Sequence, residues 1–227
     1  MKLYGYFRSS AAFRVRIALN LKKLDYENAF VHLRRGDQTQ PEFLGLNPQG
    51  LVPALAVDEH RLTQSLPIIE YLDEMHPEPP LLPRDAAGRA RVRALAAIVA
   101  CDIHPLNNLR VLRYLHRPLG VDQDAVETWY NHWIDSGFRA LEGLLAGDRR
   151  TAAFCHGEQP CLADIALVPQ ARDQQHRLCG MAQRITEVKR RSLQPRGFKY
   201  RAQVVRRAEG RFRVEHGLPV EDPALAA

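Results

Sequence analysis

The chain has 227 residues, 45% of them hydrophobic and 26% charged, a composition suited to a soluble globular protein with one good core or two small ones. It contains no run of about 18 apolar residues and its N-terminus enters a strand at once, so neither a membrane span nor export is expected and the cytoplasm is the default location. The net charge of +6 is unevenly placed: residues 1–170 carry 19 Lys+Arg against 20 Asp+Glu, residues 171–227 carry 13 against 6, and the basic character belongs to the tail.

The first 75 residues alternate strand and helix. A strand near Lys2–Tyr6 leads into a helix near Ser10–Leu24, followed by a strand near Tyr26–His32 and a strand pair near Pro53–Val57 and Arg61–Thr63. A helix over Ser65–Met75 closes the unit. A helix between two strands implies a right-handed parallel crossover, and the short gap at Asp58–His60 implies an antiparallel hairpin, so the sheet should be mixed. His76-Pro77-Glu78-Pro79-Pro80-Leu81-Leu82-Pro83 cannot be helical and reads as a stiff extended connector between two domains. Beyond it, Val92, Leu95, Ala96, Val99, Ile103 and Leu106 recur at helical spacing. So do Val126, Trp129, Tyr130, Trp133, Phe138, Leu141 and Leu145, and a core helix is expected near Leu162–Pro169. Pro105 falls inside the first of these long helices, so a kink is expected where His104, Asn107, Asn108 and Arg110 cluster. The expected division is 1–75, an α/β domain; 76–86, the proline-rich linker; 87–170, an all-α domain; and 171–227, the basic segment.

Several features carry chemistry. Ser9 and Ser10 sit where a strand runs into a helix, which places hydroxyls and helix N-terminal N–H groups where an anion is stabilised; helix capping alone explains the dipeptide equally simply. Leu51-Val52-Pro53 precedes a strand and is a candidate cis-proline that frees the backbone of Val52 to pair with a peptide-like ligand; an edge strand beginning with proline is the plainer alternative. Gln64-Ser65 opens the next helix and offers an amide, a hydroxyl and N–H groups to a carboxylate, unless Ser65 is a plain N-cap with Pro67 in the first turn. Cys101, Cys155, Cys161 and Cys179 form neither a Cys-x-x-Cys pair nor a zinc-spaced quartet, so reduced thiols and no metal are expected.

Taken in order, Tyr6-Phe7-Arg8-Ser9-Ser10, Arg14-Val15-Arg16-Ile17-Ala18-Leu19, Leu46-Asn47-Pro48, Val52-Pro53, Gln64-Ser65, Ile68-Ile69-Glu70-Tyr71-Leu72 and Ile103-His104-Pro105-Leu106-Asn107-Asn108 resemble zeta-class glutathione transferases, whose bacterial members are mainly maleylacetoacetate isomerases. The resemblance covers residues 1 to about 170. It implies a thioredoxin-like domain followed by a helical one, a homodimer, and glutathione as cofactor, with neither membrane nor nucleic acid as a partner. It further implies that Ser9 hydrogen-bonds the glutathione sulfur with Ser10 beside it, and that Val52 pairs with the cysteinyl portion. Gln64 and Ser65 would hold the γ-glutamyl carboxylate, with Gln38, His104 and Asn108 reaching the peptide. The two carboxylates and developing enolate of a dicarboxylic cis-enedione need positive charge, for which Arg8 and Arg110 are the candidates unless they are plain surface arginines. The implied reaction belongs to aromatic amino-acid catabolism: conjugate addition of thiolate, rotation about the resulting single bond, and elimination to the trans product. Maleylpyruvate isomerase, a general glutathione transferase and a non-catalytic binding module of the same fold stay open as alternatives.

Three departures from the family pattern stand out. Ala11 replaces the cysteine of the family's Ser-Ser-Cys signature, and Cys161 replaces the Ser or Thr that would form a capping box with Asp164, so the core helix should start less firmly. The segment 171–227 has 11 Arg to 2 Lys and keeps no helical period after Val188, which fits either a basic arm or a partly shifted reading frame. Codons can be chosen for residues 189–197 so that a one-base shift spells Ser-Asp-Val-Ala-Cys-Ser-Leu-Glu, which resembles the family's closing helix. The resemblance also implies a substrate-side arginine a few residues after Gln170, where only Arg172 and Arg177 lie near. Disorder is expected over about the last 40 residues.

Overall fold

The computed structural model describes residues 1–172 and, within the basic segment, the strands Gln203–Val205 and Arg213–Glu215. By its contacts the chain divides at residues 193 and 194, and the two units are taken separately.

In the first unit, strand β1 (Lys2–Gly5) lies inside a four-stranded sheet of order β2-β1-β3-β4. β1 pairs in parallel with β2 (Glu27–Phe30) and antiparallel with β3 (Ala54–Val57), Leu3 standing opposite Asn28 on one side and Leu55 on the other. β3 turns through Asp58 and Glu59 into β4 (His60–Thr63). The expected mixed sheet is therefore present, with strands shorter than the apolar runs suggested. Helix α1 (Ser10–Leu21) makes the crossover, buries Val15, Ala18 and Leu19, and packs on α3 (Ser65–Met75). A short helix α2 (Pro41–Leu44) follows a 3₁₀ turn at Asp37–Thr39.

The connector is held at its centre. Buried Lys22 at the end of α1 donates through Nζ to Asp73 Oδ1 at 2.5 Å, to the His76 carbonyl at 2.5 Å and to the Pro79 carbonyl at 2.8 Å, while the Leu81 N–H bonds Asp73 Oδ1 at 2.9 Å. Leu81 and Leu82 are buried, which anchors the segment to the core.

The long helix expected around Pro105 is in fact two helices with a break. α4 (Ala86–Ala97) widens into a π-helical stretch, Ile98–Ile103, in which the His104 N–H reaches the Val99 carbonyl at 3.0 Å. Chain direction then changes through residues 104–108, and α5 (Leu109–His116) restarts with Asn108 as its cap. The physical cause is Pro105, which has no N–H and whose ring crowds the carbonyl one turn back; the wider turn is how the helix ends. Helix α6 (Gln123–Ala146) packs across the π-helical stretch so closely that a Cβ on Gly137 would sit 2.3 Å from Ile103 Cγ1.

Helix α7 (Leu162–Arg172) runs through the middle of the unit, packs on α1, α4 and the π-helical stretch, and is buried from Leu162 to Ala171. Its start is firmer than the cysteine suggested. Asp164 accepts from the Cys161 N–H and the Cys161 thiol through Oδ2, at 2.9 and 3.0 Å, and from the Cys155 N–H through Oδ1 at 2.9 Å. The cysteine thus serves as a donor to the carboxylate, and burial pushes its thiol pKa well up. Among the described residues Cys101 and Cys161 are free thiols.

In the second unit β5 (Gln203–Val205) and β6 (Arg213–Glu215) pair antiparallel, with Val204 opposite Val214. The expectations of disorder, of a basic arm and of a shifted frame otherwise fall outside the described residues, as do Cys179, Arg177 and the side chain of Arg172.

Candidate functional site

A cleft of about 800 Å³ opens between the C-terminal ends of the sheet's parallel strands and the break before α5. On its sheet side the turn after β1 delivers Arg8, Ser9 and Ser10. Ser9 is the N-cap of α1: its Oγ accepts from the Ala12 N–H at 3.1 Å, so its own hydroxyl hydrogen is still available to donate. Both readings of the serine therefore hold together, since the capping residue also lines the cleft at the positive end of the helix.

Val52 lies on the same wall, and the Val52–Pro53 peptide is cis. Its approach is braced by buried Asn47, whose Nδ2 donates to the Leu51 carbonyl at 2.7 Å and whose Oδ1 accepts from the Gln49 N–H at 3.1 Å. Gly50, at φ +61°, passes so near the next wall that a Cβ there would lie 3.1 Å from the Gln38 carbonyl oxygen. Gln38 lines the cleft from the 3₁₀ turn.

Gln64 and Ser65 stand just behind this wall and are not among its lining residues. Gln64, at φ +66°, is the N-cap residue of α3 and donates through Nε2 to Oε1 of the cleft-lining Gln49 at 2.7 Å. Ser65 is the first residue of the helix, not its cap, and its buried hydroxyl accepts from Arg14 Nη1 at 3.3 Å. Arg14 is itself buried, and desolvation pulls its guanidinium down to about 10.

The helical side presents His104, Asn107, Asn108 and Arg110 at the break, with Gln170 from α7. His104 Nδ1 and Gln170 Oε1 are 3.4 Å apart. Burial, helped by the charge of Arg14, lowers the His104 pKa to about 4, so the ring is neutral at pH 7. Asn108 is partly committed, its Oδ1 accepting from the Arg110 N–H at 3.1 Å as the cap of α5.

Sequence reasoning missed Arg34, Arg113, Tyr114 and Arg117, all of which line the cleft. The signal for three of them was the spacing of Arg110, Arg113, Tyr114 and Arg117, which places them on one helical face. With Arg8 and Arg110, five guanidinium groups border the cleft and no carboxylate does. Among the described residues none of the five forms an ion pair. The arrangement can hold a ligand with several negative charges.

Two acceptors, Gln38 Oε1 and Asn107 Oδ1, are buried in the cleft wall with no partner among the described residues. Buried acceptors of this kind can take N–H donors from a ligand, as they can take water. A peptide with carboxylates and a thiol fits the donors, the acceptors and the helix end together.

Comparison with known proteins gives the same direction. Residues 1–74 match the family model described as glutathione S-transferase, N-terminal domain. The chain is 52% identical over 170 residues to a maleylpyruvate isomerase of Ralstonia sp, covering 75% of this chain and 80% of that one. It is 53% identical over 173 residues to a maleylacetoacetate isomerase of Pseudomonas aeruginosa, covering 75% and 79%. Its fold superposes with a TM-score of 0.78, at 49% identity and over 84% of this chain and 91% of the other, on the holo structure of a bacterial zeta-class maleylpyruvate isomerase.

Proposed function

Since the chain belongs to the glutathione transferase family, in its zeta class, we propose that it is a glutathione-dependent cis–trans isomerase converting maleylacetoacetate to fumarylacetoacetate. The observation that carries this reading is the cleft wall of five arginines and no carboxylate, facing the serine-capped end of α1. A substrate with two carboxylates and a developing enolate needs that charge.

Residues 1–75 form the glutathione-binding domain, joined by the linker 76–86 to the helical, substrate-side domain 87–170, and the working unit is a cytoplasmic homodimer. When bound, glutathione supplies a thiolate that adds to the cis double bond, allows rotation about the single bond so formed, and leaves to give the trans alkene. The Ser9 hydroxyl donates to the sulfur and, with the N-terminus of α1 and Ser10, favours the thiolate over the thiol. Val52 offers its backbone to the cysteinyl portion, and Gln38 Oε1 takes one of the ligand's N–H groups. Gln64 and Ser65, reached through Gln49 and held by Arg14, secure the γ-glutamyl end. His104 stays neutral and therefore acts with Asn108 as a hydrogen-bonding group, not as a charge. Arg8 and Arg110 hold the carboxylates of the enedione.

A second reading, maleylpyruvate isomerase, is favoured by the 52% identity to the Ralstonia protein. Turnover of the two substrates with excess glutathione decides between them. The proposal expects the higher kcat/KM for maleylacetoacetate; the opposite order establishes the second reading, and turnover of neither removes both.

A further inference from the structure

Helix α5 contributes to the cleft in an unusual way for a helix of the first unit: none of its residues is buried, yet Arg110, Arg113 and Tyr114, with Arg117 at its C-cap, all line the cavity. Among the described residues no ion pair occupies Arg110, Arg113 or Arg117. The helix rises about 1.5 Å per residue, which sets Arg113 about 4.5 Å and Arg117 about 10.5 Å along the axis from Arg110. Arg8 stands on the opposite wall, beside Ser9. One carboxylate held near Arg8 and Arg110 leaves a second carboxylate to meet whichever guanidinium its chain length reaches.

We propose that Arg113 and Arg117 extend Arg110 into a graded carboxylate-binding stripe, so that this cleft selects dicarboxylates by length and favours the longer ones. The proposal rests on the isomerase reading only for the identity of the natural diacid. A guanidinium grips a carboxylate with two directed N–H groups, and three such groups spaced along one helix face give discrete positions for the far end of a ligand. Tyr114, lying between Arg113 and Arg117 in sequence and also at the cavity, offers a hydroxyl and an aromatic edge beside the same path.

The test is binding of straight-chain diacids, malonate, glutarate and pimelate, to the full chain by calorimetry, with and without saturating glutathione, so that no isomerase activity is needed. Affinity should rise from malonate to pimelate by about tenfold, the gain of one charge-assisted contact. Arg117→Met should abolish the gain for pimelate and leave malonate unchanged; Arg113→Met should weaken glutarate and leave pimelate, whose far carboxylate reaches Arg117, little changed. Because α5 has no buried residue, both variants should melt with the parent, and Arg117→Lys should restore part of the pimelate gain. Heptanoate, which has one carboxylate, should bind all variants alike. A parent affinity that does not change with diacid length, or an Arg117→Met series identical to the parent's, overturns the proposal. Failure of the isomerase reading would look different: the length series would persist while neither enedione turned over.

Discussion

Single residues in this chain do two jobs that experiment can separate. Ser9 closes the first turn of α1 through its oxygen and offers its hydrogen to the cleft. Ser9→Ala should therefore lower isomerisation by at least about tenfold, the value of one donor to a thiolate, and also cost about 1 kcal/mol of stability through the lost cap. Steady-state turnover and a melting curve on the same sample check both halves. A purely capping serine would move only the second. His104 gives a pH test. Its pKa in the folded protein is about 4 against an ordinary 6.5, so between those values the unfolded chain binds the proton more readily, and stability is lost as pH falls through that window. His104→Gln should flatten the melting temperature against pH between about 6.5 and 4 relative to the parent. Parallel curves would mean that the ring titrates normally. Ser9, Ser10 and Val52 were readable from the sequence because each sits at a turn whose residue types announce a helix start or a strand start, whereas Gln38 came only with the family resemblance and Arg8 from the charge a dicarboxylic substrate needs. Arg34, Arg113 and Arg117 were not readable, since exposed arginines are common and only the folded cleft shows which of them face it.

At the scale of elements, the strands and α3 followed from apolar periodicity, whereas the break at Pro105 did not. Periodicity continues through Val99, Ile103 and Leu106, and local pattern alone cannot tell a kink from a stop. What decides it is the π-helical widening before the proline and the Asn108 cap after it, together with α6 pressing on Ile103. Gly137→Ala should thus cost about 1–3 kcal/mol, because Ile103 is fully buried and cannot withdraw. Adding Ile103→Ala, which removes both close carbons and leaves Cβ at 3.7 Å, should make the double variant's loss smaller than the sum of the two single losses, and additive losses in a double-mutant cycle would deny the contact. The connector makes a second element-level case. Proline content predicted an extended segment, but nothing in the sequence pointed to Lys22, three residues before Asp25 in an ordinary helix end, as its anchor. Its charge is buried against Asp73 and two carbonyls, so Lys22→Met should destabilise by about 3–5 kcal/mol by leaving Asp73 unpaired, as chemical denaturation would show. A loss under about 1 kcal/mol would mean that the clasp contributes little.

For the whole molecule, net charge was a poor guide and charge placement a good one. Residues 1–170 are nearly neutral, yet the cleft concentrates five arginines away from any lining carboxylate. That field should make kcat/KM for a dianionic substrate fall with ionic strength while conjugation of a neutral electrophile changes little. The proposal that residues 171–227 are partly out of frame is a matter for sequencing the 3′ end of the gene. No helix among the described residues is long and apolar enough to cross a membrane.

In the proposed reaction this cleft uses glutathione catalytically on a cis-enedione. The direct measurement follows maleylacetoacetate by absorbance, and glutathione by thiol titration, with glutathione far below substrate. Complete conversion to the trans isomer over many turnovers with the thiol undiminished is expected, with no conversion above background without glutathione. Consumption of one glutathione per substrate into a stable conjugate, or conversion at the same rate without glutathione, would contradict that reaction.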